Sequence, residues 1–510
     1  MLKFRSLRLL YICQMTNNDI LKKIRPVLYI MAVALFLSLC MNMANNTLHQ
    51  SAFLGAILVF AILCIAYYKS LSRNIVVWTM ILGAFVKVSY ILYTAVWERQ
   101  HDVIDFGAGE GHAAYIEYIL DNKSLPNFDP REVWAFFQPP LHHAISAAWM
   151  WIGIRLKIAE RRLYENVQVL PLCYMLIMTL IIYNICKELK MTTKATFVTM
   201  LTVSFHPIYI LLSGSINNDA LALVLSAGAV YAALKWYRKP TFLKIFSLAV
   251  LIGLSMMAKL SSGLVAPGIG AMMLYRIITD VKSKKMRLSQ YILQIALFTV
   301  TVVPLGLWWP VRNLVKWGMP VNYIPEVGDQ LVKTDFVSRV LDVRTSTVYP
   351  CLLANGDAYD EYNVILAMFK TAFFGESNFS SLNWKIAPFA YLTFAFGIVV
   401  ALLGLISAIY VCVNKEIGID IGEKILFAGV LLGLLGGYFL FALSYSNFSA
   451  QDFRYSALAV SVLAIFMGIV YDRMILTGRK LRYPVLSANV LFAIGSFGTY
   501  MLVGIYQMQY

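Results

Sequence analysis

Residues 387–413 read APFAYLTFAFGIVVALLGLISAIYVCV, twenty-seven consecutive positions without an Asp, Glu, Lys or Arg. A bilayer core is crossed by about 20 apolar helical residues. Backbone amides in lipid must pair within their own segment, and the roughly 10-residue alternation of a barrel strand is missing here, so the stretch is predicted to be a spanning helix. The rest of the chain repeats the theme. Of its 510 residues, 60% are apolar and only 14% are charged, against about 25% charged in a soluble domain. Further apolar segments lie near 26–43, 51–68, 75–97, 167–186, 195–213, 220–236, 242–258, 262–278, 291–311, 425–445, 456–471 and 485–505. With 387–413 they predict an all-α, polytopic membrane protein of about thirteen spans, forming a single membrane domain over 1–510. The pair at 242–278 is short and parted by Ala258-Lys259-Leu260-Ser261-Ser262, so a re-entrant hairpin is the alternative there.

The net charge of +16 would suggest nucleic acid in a soluble protein. Here the basic residues sit in short runs between spans, which is the mark of membrane topology and gives no reason to expect a nucleic-acid partner. With the N-terminus inside, the inner segments hold 26 Lys and Arg but only seven acids, and the other twenty acids lie outside. Two outer loops are long, 98–166 and 312–386. The seven cysteines form no CxxC pair, which argues against a zinc ribbon or disulfide framework.

The first outer loop concentrates chemistry. Asp102, Asp105, Glu110 and Glu117 stand among His101, His112 and the helix-breaking Gly107, Gly109 and Gly111. His112, Tyr115, Ile116 and Ile119 then recur at helical spacing, predicting a short interfacial helix. A carboxylate at such a membrane edge can act as general base toward an acceptor hydroxyl, although a solvated turn explains the charges equally simply. Residues 141–153, rich in Trp and preceded by Pro139-Pro140, are too few to cross and suit the headgroup level. His101, His112, His142 and His143 together with the acids could hold a divalent metal, yet no HxxxH or HExxH spacing supports one. Lys87 sits mid-span and requires a partner inside the protein. His206-Pro207 predicts a kink, and Asn217-Asn218-Asp219 reads as a helix cap.

These acids, together with Gln138-Pro139-Pro140-Leu141, Asn217-Asn218-Asp219, Ala258-Lys259, Trp309-Pro310-Val311-Arg312-Asn313 and Phe453-Arg454-Tyr455, give the chain a resemblance to the GT-C superfamily of membrane glycosyltransferases. Its protein O-mannosyltransferase and aminoarabinose-transferase branches are the most similar, chiefly over residues 75–320. The resemblance implies an inverting enzyme of the cell membrane with its active site outside. Its donor is a sugar on a polyprenyl phosphate, and its acceptor a glycan, lipid or protein.

The resemblance also implies a first-loop carboxylate as base, which maps onto Asp102. The loop lacks the Asp-Glu pair often found in the family, and Asp102 stands thirteen residues before Tyr115, so Asp105 and Glu110 remain candidates. His112, Tyr115, Gln138, Asn218 and Asp219 are the expected substrate contacts. Lys259, Arg312 and Arg454, at the outer ends of spans, are the expected phosphate-binding cations, although lysine and arginine also snorkel there. In the second outer loop the patch Asn355-Gly356-Asp357-Ala358-Tyr359-Asp360-Glu361-Tyr362 is a candidate for acceptor or sugar recognition. A transporter or lipid-linked glycan flippase is the rival reading; it would show repeated halves, which this sequence lacks.

Overall fold

The computed structural model describes residues 74–97, 103–325, 335–342, 363–375, 384–415, 417–445 and 448–506. Every regular element among them is helical. Among the described residues, nine helices are long and apolar enough to cross a membrane: 75–93, 162–188, 219–238, 260–282, 288–317, 387–413, 421–444, 458–476 and 482–505. The chain is an integral, multi-pass membrane protein. The expected spans at 26–43 and 51–68 lie outside the described residues.

Local chemistry accounts for the departures from the expected segments. The third expected span stops as helix at Tyr93, short of residue 97. The segment 195–213 is two helices, Thr193–Phe205 and Pro207–Leu211. Pro207 has no amide hydrogen to continue the first, and His206 turns extended at φ −65°, ψ 125°, where its Nδ1 accepts from the Ile208 amide at 3.3 Å. The break leaves carbonyls without partners. Lys87, only 1% exposed, donates from Nζ to the Ser204 carbonyl at 2.7 Å, which gives the mid-span ammonium its partner and the broken helix a cap. The two helices cross closely at that point: a Cβ on Gly83 would come within 2.5 Å of the Ser204 Cβ.

The pair at 242–278 is not a re-entrant hairpin. Phe242–Ala258 packs between Asp219–Arg238 and Leu288–Trp317, whereas Ala266–Lys282 lies against Ile421–Ser444. Between them Lys259 is extended, at φ −155° and ψ 123°, and a 3-10 turn runs over Leu260–Val265. Residues 141–153 belong to the helix Leu141–Arg155, about 22 Å long at 1.5 Å per residue, too short to span. Its end exposes Trp151, Ile152 and Ile154.

Asp219–Arg238 is buried along most of its length and sets the two ends of the bundle about 30 Å apart. At the Arg238 end, Arg238 bridges Glu423 at 2.7 Å and Glu188 at 3.2 Å, which ties three spans together. The Asp219 end carries the candidate site.

Candidate active site

The first-loop helix starts at a glycine arch. Gly107, Gly109 and Gly111 all have φ near +84°, a conformation that strains any side chain. A Cβ on Gly111 would stand 2.4 Å from the Val103 carbonyl. That carbonyl instead accepts from the Ala113 amide at 3.0 Å, so the acidic strap folds back onto the start of the helix Gly111–Asn122.

From this helix His112 and Tyr115 face Leu141–Arg155. His112 Nδ1 and His143 Nε2 are 2.8 Å apart, and the Phe136, Tyr115, His143 and His112 rings form a continuous stack with neighbouring centroids 4.5, 4.1 and 5.1 Å apart. Burial, more than any neighbouring charge, lowers the His112 pKa to about 3 and that of His142 to about 4, and carries His143 well down as well. All three imidazoles are neutral at pH 7, and a neutral pair shares one N–H across the His112–His143 contact. Burial likewise holds Tyr115 well above the ordinary phenol range.

The Asn217-Asn218-Asp219 turn begins the helix Asp219–Arg238, but only Asn217 acts as expected of a cap, its Oδ1 accepting from the Asp219 amide at 3.1 Å. Asn218 is wholly buried and uses Nδ2 on two partners, the Gln138 Oε1 at 3.2 Å and the Ala258 carbonyl at 2.8 Å. One amide thus joins the first outer loop to the break that carries Lys259. Asp219 is the charged counterpart. Its Oδ1 lies 2.5 Å from Lys259 Nζ and its Oδ2 lies 3.4 Å from Arg454 Nε. Asp452 faces Arg454 Nη1 at 3.4 Å, and the Tyr455 ring is flanked by Lys259 at 4.5 Å and Arg454 at 5.0 Å.

Asp219, Lys259 and Arg454 line a narrow cleft whose walls include Leu223, Leu434 and Leu458, with Ser226, Ser261 and Ser262 supplying hydroxyls. The lining is amphiphilic, combining two cations and a carboxylate with leucine side chains.

Of the residues singled out in the sequence, Gln138, Asn218, Asp219, Lys259 and Arg454 meet directly or through one another, and His112 adjoins them electrostatically. Tyr115 joins through the ring stack. Arg312 is placed differently. Its guanidinium donates to the Pro126 carbonyl at 2.5 Å and to Asn313 Oδ1 at 2.8 Å, and lies over the Trp309 ring, so it clamps the first loop and does not line the cleft. Asp105 and Glu110 are exposed on the glycine arch, Glu110 at the position preceding the helix. Asp102, His101 and the 355–362 patch lie outside the described residues. No group of three or more His, Cys, Asp or Glu side chains is disposed to hold a metal among the described residues. Asp452 carries no signal of its own in the sequence, although it stands two residues before Arg454.

Residues 142–309 match the family of dolichyl-phosphate-mannose-protein mannosyltransferases. The chain is similar to the GT-C membrane glycosyltransferases. The matched stretch contains Asn218, Asp219, Lys259 and, of the ring stack, His143 alone, and stops before Arg312 and Arg454. No curated protein matches the chain in sequence.

Two solved structures share a low overall likeness to this GT-C-like chain. The oligosaccharyltransferase of Archaeoglobus fulgidus, in complex with zinc and sulfate, has 13% identity and a TM-score of 0.45 over 83% of this chain and 53% of its own. The chain thus spans about half the length of that protein. ArnT from Cupriavidus metallidurans, bound to undecaprenyl phosphate, has 12% identity and a TM-score of 0.46 over 84% of this chain and 77% of its own. At overlaps this low, neither assigns a residue or a ligand here.

Proposed function

We propose that the chain is a glycosyltransferase that moves a sugar from a polyprenyl-phosphate-linked donor to a hydroxyl-bearing acceptor at the extracytoplasmic face of the cell membrane. The observation that carries this is the meeting of Lys259 and Arg454 at the head of a leucine-walled cleft, at the end of the bundle opposite Lys235 and Arg238. Basic loops stay cytoplasmic, so the cleft faces the other compartment. The donor's phosphate takes the two cations and its first isoprene units run along Leu223, Leu434 and Leu458.

In the reaction, an acceptor oxygen attacks the anomeric carbon with inversion, and the bond between that carbon and the phosphate oxygen breaks. The electron pair stays on the phosphate, where Lys259 and Arg454 stabilise the added charge. A first-loop carboxylate takes the acceptor proton. Asp102 is the assigned base, with Asp105 and Glu110 its alternates on the same strap. His112, Tyr115 and Gln138 border the sugar, and the 312–386 loop recognises the acceptor. The family match over 142–309 supports the same class of donor.

The test is transfer from a radiolabelled polyprenyl-phosphate sugar by the purified protein in lipid nanodiscs. The expected result is a labelled acceptor product that Asp102→Asn abolishes. A folded wild-type protein that transfers no sugar from any polyprenyl-phosphate donor overturns the assignment.

A further inference from the structure

Asp219 is an unusual tenant for an anion-binding cleft. Its two carboxylate oxygens face Lys259 and Arg454, the same cations that the donor reading gives to the phosphate. The carboxylate is 5% exposed, Arg454 2% and Lys259 14%, so all three are withdrawn from water and each depends on the others for compensation. Asp452 is a second carboxylate beside Arg454, 3.4 Å from its Nη1. An incoming anion therefore contends with a resident one.

The chemistry of transfer makes that contest directional. A sugar phosphodiester carries a single negative charge, whereas the phosphomonoester left after transfer carries about −1.5 to −2 at pH 7. Two cations acting alone would hold the spent carrier more tightly than the donor and stall turnover. A carboxylate already in reach of both cations penalises the more highly charged species more.

We infer that Asp219 is an internal competitor of the substrate phosphate: it yields Lys259 and Arg454 to the donor and reclaims them as the polyprenyl monophosphate departs. The inference rests on the proposed donor site and adds to it a residue that sets product release. Asp219 acts through the two cations and is a positioning residue, distinct from the base that accepts the proton.

The experiment measures binding of undecaprenyl phosphate, in detergent micelles, to the full-length wild-type protein, Asp219→Asn, Lys259→Met and the double variant. Asp219→Asn is expected to bind about tenfold more tightly than wild type, a difference of about 1.4 kcal/mol. In Lys259→Met the remaining carboxylate keeps Arg454 to itself and binding is weakened. Adding Asp219→Asn to Lys259→Met takes one carboxylate away from Arg454 and restores part of it, a suppression that a merely structural Asp219 does not produce. The double variant also leaves neither partner of the 2.5 Å pair charged and alone, so it decides the matter where the single Asp219 variant does not fold. Wild-type binding with no gain in Asp219→Asn and no recovery in the double variant overturns this inference and leaves the donor site standing. No binding by the wild-type protein removes the donor site itself, and the inference with it.

Discussion

Asn218 Nδ2 donates at once to the Ala258 carbonyl at 2.8 Å and to Gln138 Oε1 at 3.2 Å. A single side chain therefore fixes where the helix Phe242–Ala258 stops and how the proline-rich end of the first outer loop sits above it. Lys259, the next residue, owes its extended backbone and its approach to Asp219 to that stop.

Asn218→Ala strips the buried Ala258 carbonyl and the half-buried Gln138 amide oxygen of their donor. A buried polar group left unpaired costs about 1–3 kcal/mol. The expected outcome is a lower melting temperature in detergent together with a loss of transfer, because Lys259 is no longer held. Gln138→Ala, which removes only the longer of the two bonds, shows a smaller version of both. Equal effects in the two variants would contradict the hub role.

Lys259→Met removes one of two cations from the head of the cleft. Loss of one preorganised stabilising group in an active site typically lowers kcat about 10²–10³-fold. Steady-state transfer with a polyprenyl-phosphate sugar is expected to show a fall of that order. Arg312→Met is expected to leave donor affinity near wild type and instead to loosen the first loop, since its partners are Pro126 and Asn313. Limited proteolysis near residue 126 reads that loosening.

Lys87→Met tests the cap on the broken helix. It leaves the Ser204 carbonyl buried without its 2.7 Å donor, at a cost of about 1–3 kcal/mol. The expected result is a drop in thermal stability with a normal KM for the donor. A variant as stable as wild type would show that the ammonium is dispensable there.

The buried histidines make stability depend on pH. Their folded-state values lie below the ordinary 6.5, about 3 for His112 and about 4 for His142. Below about pH 6.5 the unfolded chain binds protons that the folded chain refuses, so stability is complete above that pH. It declines as the pH falls toward the folded-state values. Melting temperatures between pH 8 and 4 are expected to drop on the acidic side. His112→Phe, which keeps a ring in the stack, is expected to flatten the profile; an unchanged slope would assign the acid sensitivity elsewhere.

Most of the membrane architecture is legible in the sequence because 387–413 and its counterparts have a single physical solution in lipid. The boundaries were less so. The break at His206-Pro207 was readable as a kink, but its completion by Lys87 depends on a crossing at Gly83 and Ser204 that no local pattern encodes. In the site, the order of short motifs pointed to Asn218, Asp219, Lys259 and Arg454 before their meeting was visible. Their division of labour was not readable: Asn218 looks like a helix cap in sequence and is a tie between loops in space, and Arg312 looks like a phosphate ligand and is a clamp. Asp452 carries no local signal, because charge two residues from an arginine is common. Only the fold brings its carboxylate to Arg454 Nη1.

The ring stack from Phe136 to His112 has a consequence for how such a protein diversifies. Flat, neutral side chains locked face to face leave the helices they join little freedom to shift independently, while the neighbouring arch of 107–111 holds Glu110 out in the open and has no neighbour within 4 Å of a Cβ on Gly107 or Gly109. Extra residues beside Gly107 and Gly109 can therefore lengthen that arch over evolutionary time without disturbing the Asp219, Lys259 and Arg454 cluster a few helices away.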